Sequence, residues 1–477
     1  MPNSTPIDLG SRLELMVDDH LIERMDGARL RLHHPQPREV ALVLDRPWEG
    51  SGSGYVTVIR EAERYRMWYK GAHLDCAGGR LQPARDSVCY AESADGIAWE
   101  RAEVGLIEHE GSAANNIVWR GQGDHGFCPF LDANPACPPE ERYKAVGQGR
   151  FEEKAALWAL ASPDGIHWEL MDEAPILRGT PFDSQNLVFW DSVRGEYRAY
   201  VRFFREGRWR DILTTTSPDF RNWAQYQQLH YPGAPDEQLY TNQVQPYYRA
   251  PHIFVGLPTR YIERGWSPSM EALPDQESRR TCAEAHVRFG TALSDTLLMT
   301  SRDGATFRRW DEAFLPPGIQ RPGTWVYGDA YASCGLVEVA SGLPGAPPEL
   351  SFWANENVWV GPVALRRYAL RIDGFASAHD PLSGGEVLTK PCTFAGSRLV
   401  LNFATSAAGD LRVEVQDACG APIAGFALTD CDEVFGDEIE RTVTWRGGES
   451  DLSALAGRPV RLRIALRDAD LFSLRFI

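Results

Sequence analysis

The sequence predicts an all-β fold, a five-bladed β-propeller followed by a C-terminal β-sandwich. Residues 1–378 are expected to form the propeller and residues 379–477 the sandwich. Three features carry this reading: a short turn phrase that recurs along the first three quarters of the chain, a Tyr-rich strand before most copies of it, and a change to strict apolar/polar alternation after Pro381-Leu-Ser-Gly-Gly385. At 477 residues the chain also exceeds what one hydrophobic core usually organises, which favours two domains or one repeat-built domain.

The phrase reads Ser93-Ala-Asp95-Gly96-Ile-Ala-Trp99, then Ser162-Pro-Asp164-Gly165-Ile-His-Trp168, Ser217-Pro-Asp219-Phe-Arg-Asn-Trp223 and Ser301-Arg-Asp303-Gly304-Ala-Thr-Phe307. Its physics is that of a tight turn between strands: Asp bonds its own backbone, and Gly supplies a positive φ. The aromatic after the turn opens the next strand and is placed to pack between sheets. The steps between copies are unequal, the longest running from Asp219 to Asp303, so one structural unit carries loop insertions. Strands such as Tyr65-Arg-Met-Trp-Tyr69, Tyr143-Lys-Ala-Val146, Tyr197-Arg-Ala-Tyr-Val201 and His252-Ile-Phe-Val-Gly256 complete the units. Grouped strands at such a period suggest blades, because a blade buries both faces only when neighbours stack on it.

A fifth unit is expected from residues 325–339, Leu350-Ser-Phe-Trp-Ala354 and residues 363–372. Leu13-Glu-Leu-Met-Val17 is the expected ring-closing strand. The many Gly and Pro residues, 43 and 32, break most helical windows. Past residue 385, Arg398-Leu-Val-Leu-Asn-Phe403, Leu411-Arg-Val-Glu-Val415, Arg441-Thr-Val-Thr-Trp445 and Val460-Arg-Leu-Arg-Ile-Ala465 alternate as strands with one buried face do.

The net charge of −17 and the lack of a basic stripe argue against nucleic acid and anionic lipid as partners. No segment approaches the roughly 20 apolar residues of a membrane span. Nine scattered cysteines without a Cys-x-x-Cys pair argue for free thiols in a reducing, cytoplasmic compartment and against structural zinc. There is no Gly-rich phosphate loop, nucleophile elbow or His-Glu-x-x-His helix. No cofactor and no metal site is expected.

The innermost strands of a propeller converge on a central funnel, so polar residues at their starts share one pocket. Sugar cleavage needs one carboxyl group that donates a proton and one ionised carboxylate. Glu49, Asp183 and Glu237 are the catalytic candidates by residue type and place, each also readable as a turn-capping acid. Trp48, His125, Gln185, Asn186, Asn242, Arg260, Trp325, Tyr327 and Asp329 stand at the same starts and are the candidate substrate contacts. His125 reads equally as a ligand-binding or a satisfied buried imidazole, and Arg260 equally as a substrate clamp or a structural ion-pair member. Asp18-Asp19 reads first as a turn, and His33-His34 as structural, since neighbours on a strand point to opposite faces.

Pro47-Trp48-Glu49, Arg66-Met67-Trp68-Tyr69, the Ser-x-Asp-Gly-x-x-Trp turns and Asn115-Asn116-Ile117-Val118 resemble glycosyl-hydrolase-like bacterial proteins. These are related to the five-bladed propeller glycoside hydrolases of families 43 and 32. The resemblance spans roughly residues 10 to 375, and a sandwich after the propeller is similar to family 32. It implies three essential acids, with Asp183 as the orienting acid, Glu237 as the proton donor, and Glu49 or Asp19 as base or nucleophile. The chain departs from those families in having no Trp-Met-Asn-Asp-Pro-Asn, Arg-Asp-Pro or Glu-Cys phrase, which leaves retaining and inverting chemistry both open. The resulting expectation is a glycoside hydrolase acting on a small carbohydrate. The alternatives are a non-catalytic carbohydrate-binding propeller and a metal-assisted sugar lyase or isomerase using His125.

Overall fold

The computed structural model describes residues 5–62, 64–76, 79–83 and 86–477. The turn phrase folds as its chemistry requires. In the first copy the Ser93 hydroxyl accepts from the Gly96 amide at 2.9 Å, and Asp95 Oδ1 accepts from the amides of Ile97 and Ala98 at 2.8 and 2.9 Å. Gly96 has φ +76°; in the third copy Phe220 takes the same left-handed place at φ +65°.

Each phrase lies in an antiparallel sheet. The first sheet holds Gly54–Glu61, Arg64–Gly71, Ser87–Ser93 and Ile117–Trp119. The second holds His125–Leu131, Tyr143–Phe151 and Lys154–Ser162 with two short edge strands. The third holds Leu187–Asp191, Glu196–Arg205, Trp209–Ser217 and Gln227–Gln228. The fourth holds Gln245–Tyr247, Ala250–Gly256, Met299–Ser301 and Arg308–Arg309. A fifth sheet holds Val337–Val339, Glu349–Glu356 and Val363–Leu370, and its outer strand is Gln36–Leu44.

The aromatics and turns join neighbouring sheets. Trp99 packs edge-on against Trp353 of the fifth sheet, with ring centroids 5.4 Å apart. The Trp68 indole of the first sheet donates to the Gly165 carbonyl at 2.8 Å, and the Tyr200 hydroxyl of the third donates to the Gly304 carbonyl at 2.8 Å. Phe220 meets Phe130 of the second sheet at 5.9 Å. Ile253 and Val255 of the fourth sheet share a core with Leu350 and Phe352 of the fifth. Between residue 334 and the first sheet, the Val58 amide donates to the Cys334 carbonyl at 2.9 Å.

The expected closing strand takes a different place. Glu14–Leu15 pairs with Ser473 and Leu474, while Leu13, Leu15 and Val17 fill the core under the fourth and fifth sheets. Gln36–Leu44 supplies the outer strand instead. It contains Pro37 and is half exposed, so it lacks the apolar run by which an inner strand is recognised.

The C-terminal region is a ten-stranded sheet that also recruits the N-terminus. Ile7–Gly10 pairs with Cys392–Phe394, Ile22–Asp26 with Gly385–Thr389, and Arg29–Leu32 with Ala376–Asp380. The two segments read as separate strands around 400 and 413 form one, Leu399–Asp417, with an irregularity between Thr405 and Asp410, paired along Val460–Phe476. Asp373, fully buried, ties this sheet to the fourth: its carboxylate accepts from the Tyr247 hydroxyl at 2.7 Å, the Ser473 hydroxyl at 2.8 Å and the Asn402 amide at 3.1 Å.

Among the described residues α-helix is confined to one insertion, Pro268–Glu271, Gln276–Ala285 and Val287–Thr291, set between Thr259–Glu263 and Ala292–Thr296. Among the described residues no helix is long and apolar enough to cross a membrane.

Candidate functional site

The starts of the inner strands meet around a cavity of about 540 Å³. Gly54 and Tyr55 come from the first sheet and Asp124 and His125 from the second. Asp183 precedes the third sheet and Tyr240 the fourth; Tyr327, Gly328 and Tyr331 precede the fifth. The chain reaches these starts through backbone that few residues adopt: Tyr55 and Phe182 have φ of +49° and +53°. Each such residue costs roughly 1–2 kcal/mol, which surrounding packing must hold in place. Gly54 is required by close approach, since a Cβ there would lie 2.7 Å from the Asn355 side-chain nitrogen.

The polar centre is a chain of charges. His125 Nδ1 lies 2.6 Å from Asp86 Oδ2, and its Nε2 lies 3.6 Å from Asp183 Oδ1, too long for a hydrogen bond. Lys70 approaches Asp86 at 3.9 Å, and Arg202 approaches the other oxygen of Asp183 at 3.6 Å while bonding its main-chain carbonyl. Arg202 is itself buried and lies 4.3 Å over the Tyr240 ring. The Asp183 side chain is 53% exposed against 16% for Asp86, so of the two it is the more open to the cavity.

Burial alone would lower the His125 pKa, but the two flanking carboxylates, Asp183 and Asp86, outweigh burial and Lys70 and hold it above its ordinary value. Burial works in the opposite sense on the acids and is also outweighed. Lys70 and His125 hold Asp86 below the usual carboxylate range, and His125 and Arg202 do the same for Asp183. The arrangement favours the protonated form of His125 and the ionised forms of both carboxylates.

Around this centre stand aromatic faces. Tyr327 donates to the Tyr240 hydroxyl at 3.0 Å, and Trp359 lies 5.2 Å from the Tyr327 ring and 4.7 Å from that of Phe289. Burial raises the Tyr55, Tyr327 and Tyr331 phenols well above their ordinary values, so these hydroxyls stay protonated.

Of the residues singled out from the sequence, Asp183, His125 and Tyr327 line this cavity. The other two catalytic candidates do not. Glu49 has no exposed side-chain surface; it accepts from the Tyr69 hydroxyl at 2.6 Å and from Arg101 Nε and Nη2 at 2.9 and 2.8 Å. Glu237 is clamped by Arg260 at 2.8 Å and Arg309 at 2.9 Å, on a separate cavity of about 230 Å³. Arg260 also binds Asp295, at 2.7 Å, and so serves an ion-pair cluster.

The remaining candidates hold the scaffold. Trp48 donates to Asn116 at 2.7 Å, and Trp325 to the Gly318 carbonyl at 2.8 Å. Gln185 donates to Thr57 at 3.0 Å and accepts from Gln243 at 2.7 Å, forming a buried polar plug. Asn186 binds the carbonyls of Phe182 and Ser184, both at 2.9 Å, and Asn242 that of Tyr200 at 3.4 Å. Asp329 is buried beneath Gly328, and burial pushes its carboxyl well up.

Residues that strand-start reasoning passed over include Asp86 and Lys70, Trp359 from a hairpin, and Arg288 and Phe289 from the helical insertion. The one sequence signal for the last two was the long step between Asp219 and Asp303.

The chain is similar in structure to solved glycoside hydrolases. One is a thermostable family-43 glycoside hydrolase, at 12% identity over 69% of this chain and 94% of that chain, with a TM-score of 0.44. Another is a fructofuranosidase from Schwanniomyces occidentalis complexed with fructosylnystose, at 12% identity over 92% and 97%, with a TM-score of 0.37. A β-1,2-mannobiose phosphorylase from Listeria innocua in complex with β-1,2-mannobiose matches at 12% identity over 72% and 97%, with a TM-score of 0.42. No protein-family model and no curated protein matches the chain.

Proposed function

We propose that the chain is a glycoside-cleaving enzyme whose substrate sugar lies in the 540 Å³ cavity, with Asp183 as the ionised carboxylate of the reaction. The observation that carries this reading is the pairing, in one cavity, of a half-exposed carboxylate braced by His125 and Arg202 with walls of Tyr and Trp. A sugar ring offers C–H faces to aromatic rings and hydroxyl donors to carboxylates, and the volume falls within the 300–1,000 Å³ usual for small-ligand sites.

Asp183, held ionised by its neighbours, suits the part of base or nucleophile. The leaving oxygen takes its one proton from either His125 or Asp124, adjacent in sequence and both on the cavity wall. Their single replacements separate the two: loss of the donor slows substrates with poor leaving groups far more than activated aryl glycosides.

In this reading the five sheets are blades of one five-bladed propeller. Its support is that each turn phrase packs on the preceding sheet and that Gln36–Leu44 completes the fifth. The ten-stranded sheet is then a C-terminal sandwich that takes residues 7–32 as well as residues 376–477. The domain boundary therefore falls twice, near residue 34 and near residue 374.

The separation of Glu49 and Glu237 from the cavity favours a second reading, a sugar-binding propeller without turnover. Release of reducing sugar or aryl alcohol from a panel of aryl glycosides and plant and algal oligosaccharides decides between them. Turnover that Asp183→Asn abolishes supports cleavage at this site. Calorimetric sugar binding without turnover supports the second reading, and turnover indifferent to Asp183→Asn removes the first.

A further inference from the structure

The cavity also holds a cation outside the paired chain of charges around His125. Asp86, Asp124, His125 and Asp183 come from the first three sheets and the turns that lead into them. Arg288, carried by the short helix Val287–Thr291, lines the same cavity. Most arginines near the site have acid partners: Arg202 has Asp183, Arg210 has Glu263, and Arg260 has Glu237 and Asp295. Arg288 has no carboxylate within ion-pair distance among the described residues. Its neighbours are aromatic: the guanidinium lies 4.5 Å from the Phe289 ring centroid and 5.7 Å from that of Tyr327, whose hydroxyl Nη1 reaches at 3.4 Å.

Cation–π contact holds such a group in place but leaves most of its five N–H donors unused, and a planar guanidinium fork matches a carboxylate in two parallel hydrogen bonds. The rings beside it supply the other half of a subsite. Phe289 and Tyr327 are within 15° of parallel, and Trp359 adjoins both. A pyranose stacked on this wall projects an equatorial C5 substituent along the plane of its ring, edge-on, where a guanidinium at the margin of the wall meets it.

We propose that the cavity selects an acidic sugar, a uronic acid residue, and that Arg288 is the specificity-determining residue that binds its carboxylate. The inference rests on the carbohydrate reading of the cavity. Placement also fixes direction: the carboxylate is drawn to the unpaired Arg288 and away from the exposed Asp183 carboxylate, so the anomeric end of the sugar is turned toward Asp183.

The test is calorimetric binding of glucuronate against glucose, galacturonate against galactose, mannuronate against mannose, and glucose 6-sulfate, to the wild type and to Arg288→Gln and Arg288→Lys, each checked for an unchanged circular dichroism spectrum. One uronate is expected to bind roughly tenfold or more tightly than its neutral partner. Arg288→Gln should bring that ratio to about one, Arg288→Lys should keep part of it, and added salt should weaken the uronate alone. Equal binding of uronate and neutral sugar, or a ratio that survives Arg288→Gln, overturns the inference and leaves the carbohydrate reading standing. Preference for the sulfate over every uronate, lost in Arg288→Gln, overturns the carboxylate assignment. Binding of none of these sugars overturns the carbohydrate reading itself, and this inference with it.

Discussion

Glu49→Gln separates a structural acid from a catalytic one. Glu49 is enclosed, with the Tyr69 hydroxyl and two nitrogens of Arg101 within 2.9 Å and the Arg46 amide at 3.1 Å. The Arg101 side chain is 16% exposed, and the other acid near it, Asp45, lies at 3.6 Å on the surface. Removing one partner of a buried pair costs about 3–5 kcal/mol, because the other charge stays desolvated. Gln keeps the volume and one acceptor, and Asp45 compensates in part, so the loss should be near the lower end, about 3 kcal/mol. A domain of 150–250 residues loses about 2–4 °C in Tm per kcal/mol and a larger one less, so the fall should be at most about 6–12 °C. Thermal unfolding followed by near-ultraviolet circular dichroism reads this directly. Turnover well below the transition should stay within about twofold of wild type. An unchanged Tm together with lost turnover would refute the reasoning and return Glu49 to the reaction.

Asp183→Asn should do the reverse, lowering turnover by about 10²-fold or more while shifting Tm little, since its side chain is half exposed. The charge chain makes stability depend on pH. His125, raised, contributes fully below its ordinary pKa of 6.5 and loses that contribution as pH rises through its folded value. Asp86 and Asp183, depressed, contribute above their ordinary values and lose it as pH falls through their folded ones. Stability should therefore be greatest in the window between, and Asp86→Asn should flatten the alkaline limb and lower the His125 midpoint seen by proton NMR. Gly126→Ala should cost about 2–4 kcal/mol in chemical denaturation, because φ is +64° there and a Cβ would lie 2.5 Å from the Ser184 carbonyl.

The turn phrase was legible because its chemistry is local: Ser, Asp and Gly within four residues make their bonds to one another and fold the same way in the three copies that carry Gly. The outer strand of the fifth sheet was not legible, since Gln36–Leu44 earns its place by pairing with Val363–Leu370, more than 300 residues away, and carries no strong pattern of its own. Leu13, Leu15 and Val17 look like a strand because they are buried, yet they are buried as filling between sheets.

The candidate site divides in the same way. Strand starts do converge, and they bring Asp183, His125 and Tyr327 together. Position on a strand start says nothing of which way a side chain turns, and Glu49 turns away into a network with Trp48, Tyr69, Arg101 and Asn116. Those residues overlap the phrases by which the family resemblance was read, so in this structure those phrases lie in the scaffold beside the cavity. Arg288 and Phe289 reach the cavity from a helical insertion, which no blade pattern anticipates.

The most direct measurement is a crystal structure of Asp183→Asn with a sugar identified by the binding panel. The account predicts a ring resting on Tyr327, Phe289 and Trp359, its anomeric carbon turned toward residue 183 and any carboxylate on Arg288. Sugar bound beside Glu237 and Arg309, or in the apolar cavity of about 490 Å³ lined by Cys128, Phe130 and Leu336, would contradict it.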